Sequence, residues 1–114
     1  MTSYKKGKLA ENKALNYLTS KEYKIIETNY QTKIGEIDII CLSKKNILVF
    51  IEVKSVSNNY IHPIEKITKR KINKIINTSN TFISMYNYNN YQIQYDFIGI
   101  IKSNIIHYEN IIQI

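Results

Sequence analysis

Glycine, proline and cysteine are scarce: three, one and one among 114 residues, with no tryptophan. The single thiol, Cys41, excludes an intrachain disulfide and a cysteine zinc cluster. Set in an apolar run, it reads as a buried, inert cysteine in a reducing compartment. With so few breakers there is no linker and no long repeat, so residues 1–114 read as one domain. A glycine-rich phosphate loop and a nucleophile elbow are both missing. No apolar run approaches the ~20 residues of a membrane span. The start "MTSYKKGKLAENK" has no apolar signal region, so a cytoplasmic protein with no membrane partner is expected. Acidic residues are in deficit, 9 against 16 basic ones, giving a net charge of +7 and a pI near 9.4. That excess points to a polyanion partner. Of the 16 basic residues 15 are lysine. With the heavy use of Ile, Asn and Tyr, this reflects AT-rich coding, not function.

What is present is hydrophobic periodicity. Over residues 5–19, Ala10, Ala14, Tyr17 and Leu18 form one stripe at 100° per residue, with Leu15 at its edge, predicting a helix. Strands are predicted at 23–31, 35–42 and 46–54, the last two joined by the polar turn "SKKN". Pro63 suits the first turn of a helix running to about residue 79. Residues 81–91 read as a short helix and a loop. Strands follow at 92–101 and 104–111. The order α-β-β-β-α-(α)-β-β predicts an α/β domain with a mixed sheet of about five strands flanked by helices.

Several charges fall where a core should be. Side chains alternate along a strand. In 46–54, Ile47, Val49, Ile51 and Val53 share one face, while Leu48, Phe50, Glu52 and Lys54 share the other. Both faces are apolar until Glu52, so the strand is predicted to be central. A buried carboxylate requires a cation, either Lys54 or a metal. A hairpin with 35–42 brings Asp38 alongside Glu52. Glu11 lies between Leu18 and Leu15 on the apolar side of the first helix, and Lys71 lies on the core side of the second. Each has a plainer reading: a surface Glu-x-Lys pair, a turn aspartate, a glutamate reaching the rim. Their conjunction favours a site. Converging carboxylates suit Mg²⁺, and a nearby lysine can orient or activate water, which together make a phosphodiester-hydrolysing centre.

These residues also carry a resemblance. "GEIDII…LVFIEVKS" is similar to the GEIDLI…LVFVEVKT signature of the YraN-like uncharacterised proteins (UPF0102 type). That family resembles archaeal Holliday-junction resolvases within the restriction-endonuclease-like PD-(D/E)XK superfamily. "GKLAENKALNYL", "PIEKITKRKINKI", "YDFIGI" and "IIHYENI" match its other blocks in order, over nearly the whole chain. The resemblance implies a restriction-endonuclease-like fold, with Asp38, Glu52 and the Val53 backbone carbonyl binding Mg²⁺ or Mn²⁺. It further implies Lys54 as catalytic lysine and Glu11 as the assisting helix acid. Ile37 stands where the superfamily name has proline, Ala10 where a small glycine is frequent, and Ile61 where a glycine often precedes His62 and Pro63.

The function expected is a Mg²⁺-dependent endonuclease on branched or structured DNA; the competing expectation is a non-catalytic nucleic-acid- or protein-binding module on the same fold. Lys66, Lys69, Arg70, Lys71 and Lys74 are candidate phosphate contacts. A symmetric junction suits a homodimer. His62 and His107 have no partner at zinc spacing and read as structural or exposed. Tyr86, Tyr88, Tyr91 and Tyr95 read better as packing than as base-stacking residues.

Overall fold

Alternating apolar residues build the first half into a meander of three antiparallel strands beneath a helix. The computed structural model describes residues 3–56 and 62–112. Helix α1 spans Ser3–Ser20, followed by β1 (Lys24–Gln31), β2 (Glu36–Leu42) and β3 (Leu48–Val56). A short 3-10 turn, Pro63–Lys66, leads to α2 (Lys69–Met85), then β4 (Ile93–Ile101) and β5 (Asn104–Tyr108). The sheet order is β1-β2-β3-β4-β5; the β3–β4 pair is parallel and the others antiparallel. The predicted mixed five-stranded sheet is therefore present, with β3 at its centre.

Helices cover both faces, as the apolar stripes require. On one face Ala10, Ala14 and Leu18 of α1 pack over Ile39, Cys41, Val49, Ile51, Ile98 and Ile100. On the other, Ile75 and Phe82 of α2 pack with Ile40, Leu48, Phe50 and Tyr95. Cys41 is buried and free, as expected. Tyr88 and Tyr95 belong to the second core, and Tyr88 stacks on Phe82 at 5.5 Å between centroids.

The second helix departs from the sequence reading. Ile67 and Thr68 are extended (φ −85°, ψ 125° and φ −98°, ψ 160°), so the expected helix from Pro63 breaks there. Thr68 instead caps α2, its side-chain oxygen accepting from the Lys71 N–H at 3.1 Å. Ile64 and Ile67 consequently leave the predicted apolar arc. Helix α2 runs on to Met85, absorbing the start of the expected separate helix at 81–91, because Phe82 continues the buried stripe of Ile75, Thr78 and Ser79. Strand β5 ends at Tyr108, short of 111; Asn110 turns the chain at φ 55°.

The shortage of glycine has a structural consequence. Among the described residues, left-handed backbone falls largely on asparagine: Asn29, Asn46, Asn87 and Asn110. Glu22, Lys102 and Ser103 are the exceptions. Gly99 is needed for space: a Cβ there would lie 2.6 Å from Pro63 Cβ, so its absence lets the Pro63 turn sit on β4 beside the end of β3. No helix among the described residues is long and apolar enough to cross a membrane. Ile61 lies outside the described residues.

Candidate active site

The site is created by a fork in the sheet. Strands β2 and β3 pair from Leu42–Leu48 to Ile39–Ile51 and then part. Beyond the fork, β2 continues against β1 as far as Glu36, and β3 continues against β4 as far as Val56. One step further in the same register would set Asp38 opposite Glu52. At that step the Val53 N–H donates to Asp38 Oδ2 at 2.8 Å. The aspartate thus satisfies a backbone group that the parting strands would leave unpaired.

Asp38 and Glu52 are within hydrogen-bonding reach of each other. Glu52 Oε2 meets the Lys71 ammonium at 3.3 Å. Its Oε1 is buried and, among the described residues, receives no donor. Two carboxylates cannot satisfy one another unless a proton or a cation lies between them. Burial and the adjacent Asp38 charge accordingly push Glu52 up to about 8, against the opposing pull of Lys71. Asp38 is also raised, mainly by burial, although the Val53 N–H works the other way.

Asp38 opens into a cleft of about 1000 Å³ between α1, the end of β3 and the β4–β5 turn. Glu11 lines the same cleft, 8% exposed, where it accepts from Asn29 Nδ2 at 2.9 Å and pairs with Lys8 at 3.7 Å. Lys54 is an exposed part of the cleft wall. Glu52 is not part of that wall; it faces Lys71 of α2. Among the described residues, Glu11, Asp38 and Glu52 do not form a trio with ligand atoms all within 4.8 Å. The carboxylates that meet are therefore Asp38 and Glu52, with Glu11 set apart along the cleft. Lys69, Arg70 and Lys74 are exposed on α2, and the side chain of Lys66 lies outside the described residues.

One participant escaped the sequence reading. Asn29 holds Glu11 from within a strand, in left-handed backbone that asparagine tolerates; nothing in an isolated Asn signals that. Lys71 is expected on the core side of its helix, but the cation expected beside Glu52 is Lys54 or a metal; the structure sets Lys71 there instead, because it lies one turn before buried Ile75 and faces the sheet. Asp96, His107 and Glu109 do place ligand atoms within 4.8 Å of one another. Asp96 is already saturated, accepting from Gln94 Nε2 and the Asn110 N–H at 2.9 Å each and meeting His107 Nε2 at 2.7 Å. His107 Nδ1 lies 3.0 Å from the Tyr17 hydroxyl. This network braces α1, β4 and β5, in keeping with a structural role for His107.

Fold and site together define an α/β domain whose mixed sheet forks around a buried carboxylate pair at the head of a lysine-rimmed cleft. The chain belongs to the uncharacterised protein family UPF0102, whose description matches residues 10–100. It is 45% identical over 109 residues to a UPF0102 protein of Fervidobacterium nodosum, covering 94% of this chain and 81% of the relative. A UPF0102 protein of Sulfurihydrogenibium is 40% identical over 111 residues, covering 96% of each chain. One from Clostridioides difficile is 44% identical over 101 residues, covering 88% of each.

Proposed function

We propose that this protein is a metal-dependent endonuclease acting on branched or otherwise structured DNA. The observation that carries the reading is the buried Glu52 carboxyl group next to Asp38, whose Oε1 has no donor among the described residues. An oxygen in that position fits a divalent cation. Mg²⁺ or Mn²⁺ takes hard oxygen ligands, often one or two carboxylates with water completing the shell. Asp38, Glu52 and the Val53 carbonyl would hold it. A cation bound there supplies polarisation of a phosphodiester and a lowered pKa for attacking water.

The remaining steps belong to the chain itself. The Val53 N–H fixes the Asp38 carboxylate, so the pair does not rely on a flexible side chain alone for its geometry. Lys71 holds Glu52 Oε2 on the α2 side, while Oε1 is left without a donor among the described residues. Lys54, exposed on the cleft wall and in no ion pair among the described residues, is free to orient water and to offset charge developing on phosphate. Glu11, held by Asn29, stands further along the cleft, where it assists by positioning.

The test is cleavage of labelled branched DNA by purified protein with Mg²⁺ or Mn²⁺. Wild type is expected to cut. Glu52→Ala and Lys54→Ala are expected to lose at least a hundredfold in rate, the scale of removing one preorganised electrostatic group. Cleavage that persists unchanged in both variants refutes the mechanism. Absence of cleavage by wild type on every branched substrate, with DNA binding retained, favours a binding module on this fold.

A further inference from the structure

The turn joining β4 to β5 is built from an unexpected pair of residues. Ile101 and Asn104 pair across the hairpin, leaving Lys102 and Ser103 as its two-residue loop. Both have positive φ, 48° and 77°. That is the pattern of a type I′ turn, which favours Asn-Gly. Elsewhere this chain assigns left-handed positions largely to asparagine. The other exception, Glu22, is held by an ion pair with Lys44. Lys102 and Ser103 are set in backbone that their residue types adopt reluctantly, and strain of this kind gathers at functional positions.

Their location supplies a reason. Both residues line the cleft that contains Asp38 and Lys54. Lys13 of α1 donates from Nζ to Ser103 Oγ at 2.9 Å, tying the turn to the helix across the cleft. Lys6 and Lys8 line the helix side, and exposed Lys102 lines the turn side. Positive groups thus flank the approach to the carboxylate pair from two independent elements.

We propose that the β4–β5 turn is a phosphate-contact element. Lys102, with Lys6 and Lys8 of α1, holds the sugar–phosphate backbone of a DNA strand in the α1-side cleft. The strand therefore approaches Asp38 from this side and not along the basic face of α2. The proposal rests on the endonuclease reading of the same site, but it concerns binding and is tested without catalysis.

The experiment is fluorescence anisotropy with labelled branched DNA in EDTA, across a salt series. The variant Lys102→Asn puts a residue that tolerates left-handed backbone at the first turn position and keeps the Lys13–Ser103 bond, so it should melt no lower than wild type. Its affinity is expected to fall several-fold, and the slope of log K against log salt to shrink by roughly 0.9 for the lost phosphate contact. Lys6→Ala/Lys8→Ala should lose more, and Lys69→Ala/Arg70→Ala should leave the slope near wild type. Unchanged affinity and slope in the turn variant, or no salt-dependent binding by wild type, overturns the proposal. A weakened turn variant together with no cleavage by wild type would leave this proposal standing and remove the catalytic one.

Discussion

Replacing Glu52 with glutamine should remove a pH-dependent instability that the fork builds into the metal-free protein. Glu52 rises from the ordinary 4.5 to about 8 because it is buried against Asp38. A carboxyl whose affinity for protons is raised on folding favours the folded state fully below its unfolded pKa. That advantage is lost as pH rises through the folded value. Between about pH 6 and pH 8.5 the loss comes to roughly 2–3 kcal/mol, at about 1.4 kcal/mol per tenfold change in proton affinity. Lys71, 3.3 Å from Oε2, limits the figure and makes the lower end the better expectation. For a chain of this size about 2 kcal/mol is on the order of 10 °C in Tm. The assay is thermal melting in EDTA at both pH values. Wild type should melt lower at the higher pH, and Glu52→Gln should lose most of that difference. Mn²⁺ should raise the wild-type Tm more at about pH 8.5 than at pH 6, since metal and proton compete for the same oxygens. A wild-type slope that survives unchanged in Glu52→Gln refutes the reasoning.

Other substitutions probe the supports of the site. Gly99→Ala would set a Cβ 2.6 Å from the Pro63 ring, and should destabilise by about 1–3 kcal/mol in denaturant melts. Thr68→Ala removes the cap of α2 and should lower stability by about 1 kcal/mol, while Thr68→Asp restores it. Asp96→Ala strips acceptors from His107, Gln94 and the Asn110 N–H. It should destabilise by about 3 kcal/mol, read as a lower urea midpoint at unchanged m-value.

The sheet was legible because its strands are carried by period-two apolar alternation and a polar turn at Ser43 to Asn46. The Asp38–Glu52 encounter was legible for the same reason, since hairpin register is fixed by that turn. The start of α2 was not. Pro63 is an honest helix signal, but it opens a 3-10 turn, and the cap is Thr68, a choice made by tertiary packing of the Pro63 turn on Gly99. The fork itself was also hidden. Its mark is where pairing stops at Ile39 and Ile51, and no residue type announces that. Nor could the sequence tell which lysines gather. Lys13 and Lys102 are distant in the chain and line one cleft only because the β4–β5 turn folds back toward α1, where Lys13 reaches Ser103.

The central claim is that Asp38 and Glu52 are a metal pair. A crystal soaked with Mn²⁺ and measured at the manganese absorption edge tests it directly. The account predicts an anomalous peak between the Asp38 and Glu52 carboxylates, within about 2.0–2.4 Å of an oxygen from each, with Glu52 Oε1 among the ligands. A Mn²⁺-soaked crystal with no peak there, or with the ion only at Asp96, His107 and Glu109, would contradict it.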